Sequence, residues 1–227
     1  MIELYIANKN YSSWSLRPWV LLRELAIPFA EQLLPFHDRT AWERYRTLTP
    51  AGKVPCLVDR GTVVWDSLAI VEYLAEDHPG VWPAGREARA WARSAAAEMH
   101  SGFGELRRRC SMSCGLRLQL REFPESLQRD LDRLTELWKE GLARFGGPYL
   151  AGPAFTAVDA FFAPVAFRIQ TYGLALESPA ADYATRLRDL PAMRDWYAQA
   201  LEERFRDEPH ESEILAMSEL RADLRAH

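Results

Sequence analysis

The feature that most constrains this chain is the place where its strand-like runs stop. Four short β-branched or alternating runs, at residues 2–7, 29–35, 53–59 and 62–65, all fall in the first 65 of 227 residues. Ser12-Ser13-Trp14-Ser15 opens a helix reaching Leu25, with Pro18 in its first turns. Residues 39–48 are polar and helix-prone, so the first two strands are joined by a crossover and should lie parallel. Arg60-Gly61 separates the last two runs and marks a β-hairpin. Asp66-Ser67 then caps a helix through Leu74 that closes near Pro79. The order is βαβαββα, a small α/β unit.

Residues 79–85 carry Pro79, Gly80, Pro83 and Gly85 and read as a linker. Beyond it only helical periodicity is expected. Trp91, Ala95, Met99, Phe103 and Leu106 follow one face of a single long amphipathic helix over residues 88–110. Further helices are expected at 124–145, 156–172, 180–188 and 191–205, and Thr156-x-x-Asp159 is a capping-box signal. From Glu208 onward the chain reads as a polar, weakly ordered tail. These observations predict an α/β domain over residues 1–78, a linker over 79–85 and an all-helical domain over 86–227.

Charge and cysteine usage narrow the function classes. The 28 basic and 32 acidic side chains leave a net charge of −4, without a basic patch suited to nucleic acid. Arg107-Arg108-Arg109 is too short for one and points in three directions on a helix. Three cysteines, Cys56, Cys110 and Cys114, make neither a disulfide framework nor a C-x-x-C pair, and the five histidines lack metal-site spacing. No metal, no membrane span and a reducing cytoplasm are expected.

The βαβαββα unit with Val54-Pro55 ahead of its hairpin, followed by a helical half, resembles the cytosolic glutathione transferase superfamily: a thioredoxin-like domain plus a helical bundle. The carriers are Ser12-Ser13-Trp14-Ser15-Leu16-Arg17, the run from Thr49 through Gly52-Lys53-Val54-Pro55, Asp66-Ser67, and Phe155-Thr156-Ala157-Val158-Asp159. The serine run is most similar to the zeta class, which includes maleylacetoacetate isomerases, but Trp14 stands where that class carries cysteine. The resemblance implies glutathione as co-substrate, a small electrophile as second substrate, detoxification chemistry and a homodimer.

The residues admit structural and functional roles together. Ser12 and Ser13 can cap their helix; by resemblance, Ser12 first and Ser13 second stabilise the glutathione thiolate, aided by the helix dipole. Proline at Pro55 fits a strand start; the resemblance adds a cis bond that turns the Val54 backbone toward an extended peptide, with Lys53 beside it as a solvated or carboxylate-binding charge. Asp66 and Ser67 cap a helix whose N-terminus can also take the γ-glutamyl group. Arg39 or His37 is assigned the glycyl carboxylate. Trp14, Met99, Phe103 and Arg107 are candidates for the second-substrate pocket, with core packing the alternative for Met99 and Phe103. The function implied is a glutathione S-transferase. Its alternatives are a glutathione-dependent cis–trans isomerase and a non-catalytic interaction module on the same scaffold.

Overall fold

A computed structural model describes residues 1–36 and 40–225. The N-terminal sheet has the order β2-β1-β3-β4. Strand β1 (Ile2–Ile6) pairs in parallel with β2 (Phe29–Leu33) and antiparallel with β3 (Cys56–Asp59), which turns back as β4 (Thr62–Val64). Arg60 and Gly61 both have positive φ, +50° and +83°, as a tight primed hairpin turn demands, and glycine meets that demand without a Cβ penalty. Helices α1 (Ser13–Glu24), α2 (Thr40–Leu48) and α3 (Ser67–Asp77) complete the unit. Leu4, Ile6 and Leu57 are fully buried in one core with Leu16, Val20 and Ile70.

The second half is built on α7 (Ala157–Tyr172), in which every residue from Ala157 to Arg168 is buried. Around it stand α4 (Arg86–Ser101), α5 (Gly104–Arg109), α6 (Glu125–Phe145), α8 (Ala180–Asp189), α9 (Pro191–Glu202) and α10 (Glu208–Met217). Trp138 of α6 meets Phe162 and Tyr183 edge-on at 5.7 and 4.8 Å, which locks α6, α7 and α8 together. Asp159 reaches back to the Thr156 N–H at 2.9 Å, as the capping signal predicts, and also takes the Leu150 N–H and the Tyr183 hydroxyl.

Four expectations are corrected. The single helix over 88–110 is two, because Gly102 and Phe103 break it: Phe103 adopts φ +52°, turns its ring toward Phe162, and α5 restarts with the Leu106 N–H bonded to Asp130 of α6. The helical half also contains a two-stranded ribbon, β5 (Leu116–Leu120) antiparallel to β6 (Ser218–Asp223). The polar tail is ordered as α10 and β6, since Asp207 caps α10 and β6 finds a ladder partner in β5. Pro18 does lie in the first turns of α1, but in the second of them, past the N–H groups that lack intrahelical partners, so its missing N–H is not one of the free ones.

α1 joins the two halves. Its Trp19 meets Trp196 of α9 at 5.0 Å, and Arg17 lies 4.8 Å over the Phe161 ring of α7. No helix among the described residues is long and apolar enough to cross a membrane.

Candidate active site

A cavity of about 790 Å³ opens between the halves, within the roughly 300–1,000 Å³ typical of small-molecule sites. One wall is N-terminal: Tyr11, Ser12, Ser13 and Trp14 from the β1–α1 loop and helix start, Phe36, Tyr45, and the Gly52-Lys53-Val54 turn. The other is helical: Gly104, Arg107 and Arg108 of α5, Ser111 and Met112, Arg168 of α7, and Asp207 and His210 at the start of α10.

The loop carrying the serines is held by the helical half. Glu203 accepts the backbone N–H groups of Lys9 and Asn10 at 2.7 and 3.1 Å. Asn10 uses its main-chain and side-chain oxygens to accept from Cys114 and Gly115. Lys9 is buried, ion-paired with Glu31 at 2.6 Å and set over the Trp19 and Trp196 rings, while its carbonyl accepts from the Trp196 indole. The Tyr11 hydroxyl donates to Glu211 and accepts from Arg225, beyond β6, at 2.9 Å. Burial and the Glu211 carboxylate push the Tyr11 phenol up to about 12, so it stays protonated.

The cap role read for the serines is corrected. Ser12 is the N-cap residue but makes no side-chain cap bond; its hydroxyl donates instead to Ser15 Oγ at 2.7 Å, and Ser15 Oγ also accepts the Ala7 N–H. Ser13 Oγ has no hydrogen-bond partner among the described residues. The Val54–Pro55 peptide is cis, and the Val54 N–H and C=O are unpaired among the described residues, on the cavity wall. The cysteines are buried, and desolvation raises the thiols of Cys56 to about 11 and Cys110 to about 12, so neither is an available thiolate at neutral pH.

Behind Trp14 the structure gathers cations. Arg17 is 1% exposed, stacks 4.0 Å from the Trp14 ring, and leaves Nε and Nη1 buried without partners. Burial, then the charges of Arg168 and Arg107, lower its guanidinium to about 9. Burial likewise lowers Arg168 to about 10. His100 sits edge-on to Trp14 at 5.3 Å, with Nε2 3.4 Å from Asp66, and burial followed by the two neighbouring arginines lowers its pKa against the pull of Asp66.

The predicted residues divide accordingly. Ser12, Ser13, Trp14, Lys53, Val54 and Arg107 share the cavity wall. Met99 and Phe103 do not: they are 1% and 6% exposed in the core, Met99 on α4 where that helix packs on α7, and Phe103 in the break after α4 with its ring against Phe162. Pro55 is buried behind Val54. Asp66 caps α3 by accepting the Leu68 N–H at 3.0 Å, and Ser67 is fully buried with an unpartnered hydroxyl, but neither lines the cavity. Arg39 and His37 lie outside the described residues.

Comparison with known proteins decides the family. The glutathione S-transferase N-terminal domain model matches residues 11–77, and the corresponding C-terminal domain model matches residues 117–199, together more than half of the chain. The chain belongs to the cytosolic glutathione transferase superfamily. Among relatives in this superfamily, the glutathione S-transferase-like protein OpS6 of Beauveria bassiana is 29% identical over 210 residues, covering 85% of this chain and 93% of its own. A probable maleylacetoacetate isomerase of Caenorhabditis elegans is 32% identical over 105 residues, 45% of this chain and 48% of that protein. In fold, a Burkholderia glutathione transferase homologue crystallised with glutathione matches at a TM-score of 0.67 and 23% identity, covering 88% of this chain and 97% of that one.

Within this superfamily frame, Tyr11, Met112, Arg168, Asp207 and His210 are wall residues that the sequence reading missed. Tyr11 adjoins the serine motif and could have been found from that alone. The others carry no local mark of a cavity, even Arg168 on the well-signalled helix α7, and only the tertiary fold brings them to it.

Proposed function

We propose that this protein is a glutathione transferase that binds the tripeptide along the N-terminal wall. The observation that carries the reading is a pair of serines facing a cavity beside an extended turn whose Val54 N–H and C=O are unpaired, in a chain of this superfamily. The Val54 edge can pair with the cysteinyl backbone as an added strand does. Lys53 lies within reach of a carboxylate, and the α3 N-terminus with Asp66 and Ser67 supplies the γ-glutamyl site. The glutathione domain spans residues 1–78, with a linker over 79–85 and the helical domain over 86–227.

The thiol site is formed by Ser12 and Ser13. Ser13 carries the unengaged hydroxyl and donates to the thiolate; Ser12 could do so only by giving up its bond to Ser15. The start of α1 and the guanidinium of Arg17 add a positive field that favours the anion. The thiol proton leaves to solvent, the sulfur forms a bond to the electrophilic carbon, and the leaving group departs with its electron pair. Catalysis then rests on the lowered thiol pKa and on holding two reactants together.

Isomerisation is the second reading, supported by the relative described as a probable maleylacetoacetate isomerase. There the thiolate adds to a double bond and is expelled after rotation, so the product retains no glutathione. The deciding experiment is calorimetric titration with glutathione from pH 5 to 9 in two buffers of different ionisation enthalpy. Binding with proton release near pH 7 is expected; no binding at millimolar glutathione would overturn the reading and leave an interaction module.

A further inference from the structure

The helical side of the cavity holds more positive charge than the protein neutralises. Arg168 is 5% exposed and lines the cavity. Its Nη1 donates to the Cys110 carbonyl and, at 3.4 Å, to the Arg107 carbonyl, while its Nε is buried without a partner. Arg107 gives its hydrogen bonds to the His100 and Ser101 carbonyls at 3.1 and 3.4 Å and lies 5.6 Å over the Trp14 ring. Arg17 lies over the same ring with two buried nitrogens unpaired. None of the three forms an ion pair with a carboxylate among the described residues.

The nearby acids are occupied. Asp207, on the wall, caps α10, and Asp66 caps α3 and faces His100. Arg108, also on the wall, is neutralised by Glu105 at 2.8 Å. Burying an unpaired guanidinium is unfavourable, so a cavity that keeps Arg168 and Arg107 without counter-ions is suited to an anion supplied from outside. A guanidinium fork matches a carboxylate in particular.

Building on the transferase reading, we infer that Arg168 and Arg107 receive the carboxylate of the second substrate, so that the electrophile is a small organic acid. The two arginines come from α7 and α5, across the cavity from the Ser13 hydroxyl and the Val54 edge. That placement sets a carboxylate on the helical side and leaves the reactive carbon toward the thiol. It also separates this site from the carboxylates of glutathione, which the reading above assigns to Lys53 and to the α3 N-terminus in the N-terminal half.

The test uses an inert matched pair, 3,5-dinitrobenzoate and its methyl ester, titrated by calorimetry into the full-length protein with and without saturating glutathione. A reactive pair, 4-chloro-3,5-dinitrobenzoate and its methyl ester, is then used for turnover, each rate divided by its uncatalysed rate. The acid is expected to bind about tenfold more tightly than the ester, as one charge-assisted bidentate contact provides, and glutathione should not displace it. Arg168→Met and Arg107→Gln should each lower the acid-to-ester ratio of kcat/KM about tenfold. A purely structural loss would lower both members together and leave the ratio unmoved. Arg107 is only half-buried, so Arg107→Gln keeps the test decisive if Arg168→Met fails to fold.

Equal binding of acid and ester overturns the inference, as does a preference that survives both substitutions. Displacement of the acid by glutathione also overturns it, since the arginines would then serve glutathione itself. If glutathione does not bind at all, the transferase reading fails, and the acid-versus-ester titration still decides whether the anion site exists.

Discussion

Ser12 and Ser13 are adjacent in sequence and differ in engagement: one hydroxyl is tied to Ser15 and the other is free. Ser13→Ala is therefore expected to raise the pKa of bound glutathione by a unit or more, about 1.4 kcal/mol, with Ser12→Ala giving the smaller shift. Thiolate absorbance titration of both variants checks this, and a larger effect from Ser12 would reverse the assignment. A second residue-scale prediction concerns Asp159. Burial raises its carboxyl to about 6 from 3.8, against the hydrogen bonds from Leu150, Tyr183 and Thr156 that pull it down. A raised acid binds its proton more tightly when folded, so its contribution to stability is complete below about pH 4 and is lost as pH climbs through about 6. Relative to Asp159→Asn, the wild type should lose about 2–3 kcal/mol between pH 4 and pH 7.5 in urea unfolding. A pH-independent difference would sink the assignment.

At the scale of elements, the β1–α1 loop owes its shape to segments that lie far away in sequence. Glu203 accepts two of its backbone N–H groups, and Arg225 fixes Tyr11. Glu203→Gln retains one acceptor and strands a donor; it should cost about 1–3 kcal/mol and raise the KM for glutathione while leaving its thiol pKa in place. Gly115 has to be glycine for a related reason: a Cβ there would stand 2.2 Å from Arg225 Cγ. Gly115→Ala should displace Arg225 and lower stability by about 1–3 kcal/mol, read as a shifted urea midpoint. The local elements were legible wherever one period dominated, as in the parallel pair, the hairpin and α6. The break at Gly102 was not, because the apolar face runs unbroken from Trp91 to Leu106 across it. β5 did carry a signal, the alternation Leu116-Arg117-Leu118-Gln119-Leu120, whereas β6 has none of comparable strength and is a strand because β5 pairs with it.

For the whole molecule, α1 belongs to the N-terminal unit by sequence but is buried against α7 and α9. A fragment of residues 1–78 should therefore bind hydrophobic dye and lack near-ultraviolet dichroism, while the full chain unfolds with coincident signals from both probes. The candidate site shows the same division. Its N-terminal wall was legible from the motifs around Ser12 and Val54, which are continuous in sequence. The helical wall was not, since Arg168, Met112 and His210 carry no mark of the cavity until α5, α7 and α10 are assembled around it. The bond from Arg225 to Tyr11 also sets an order in time. A ribosome makes Ser12 and Ser13 long before Arg225, so their loop acquires this anchor only after Arg225 has been translated and has cleared the exit tunnel. A nascent chain stalled before that point would carry every residue of the thiol motif without the Arg225 anchor on the loop that presents it, so full activity should appear only once Arg225 has emerged and reached Tyr11.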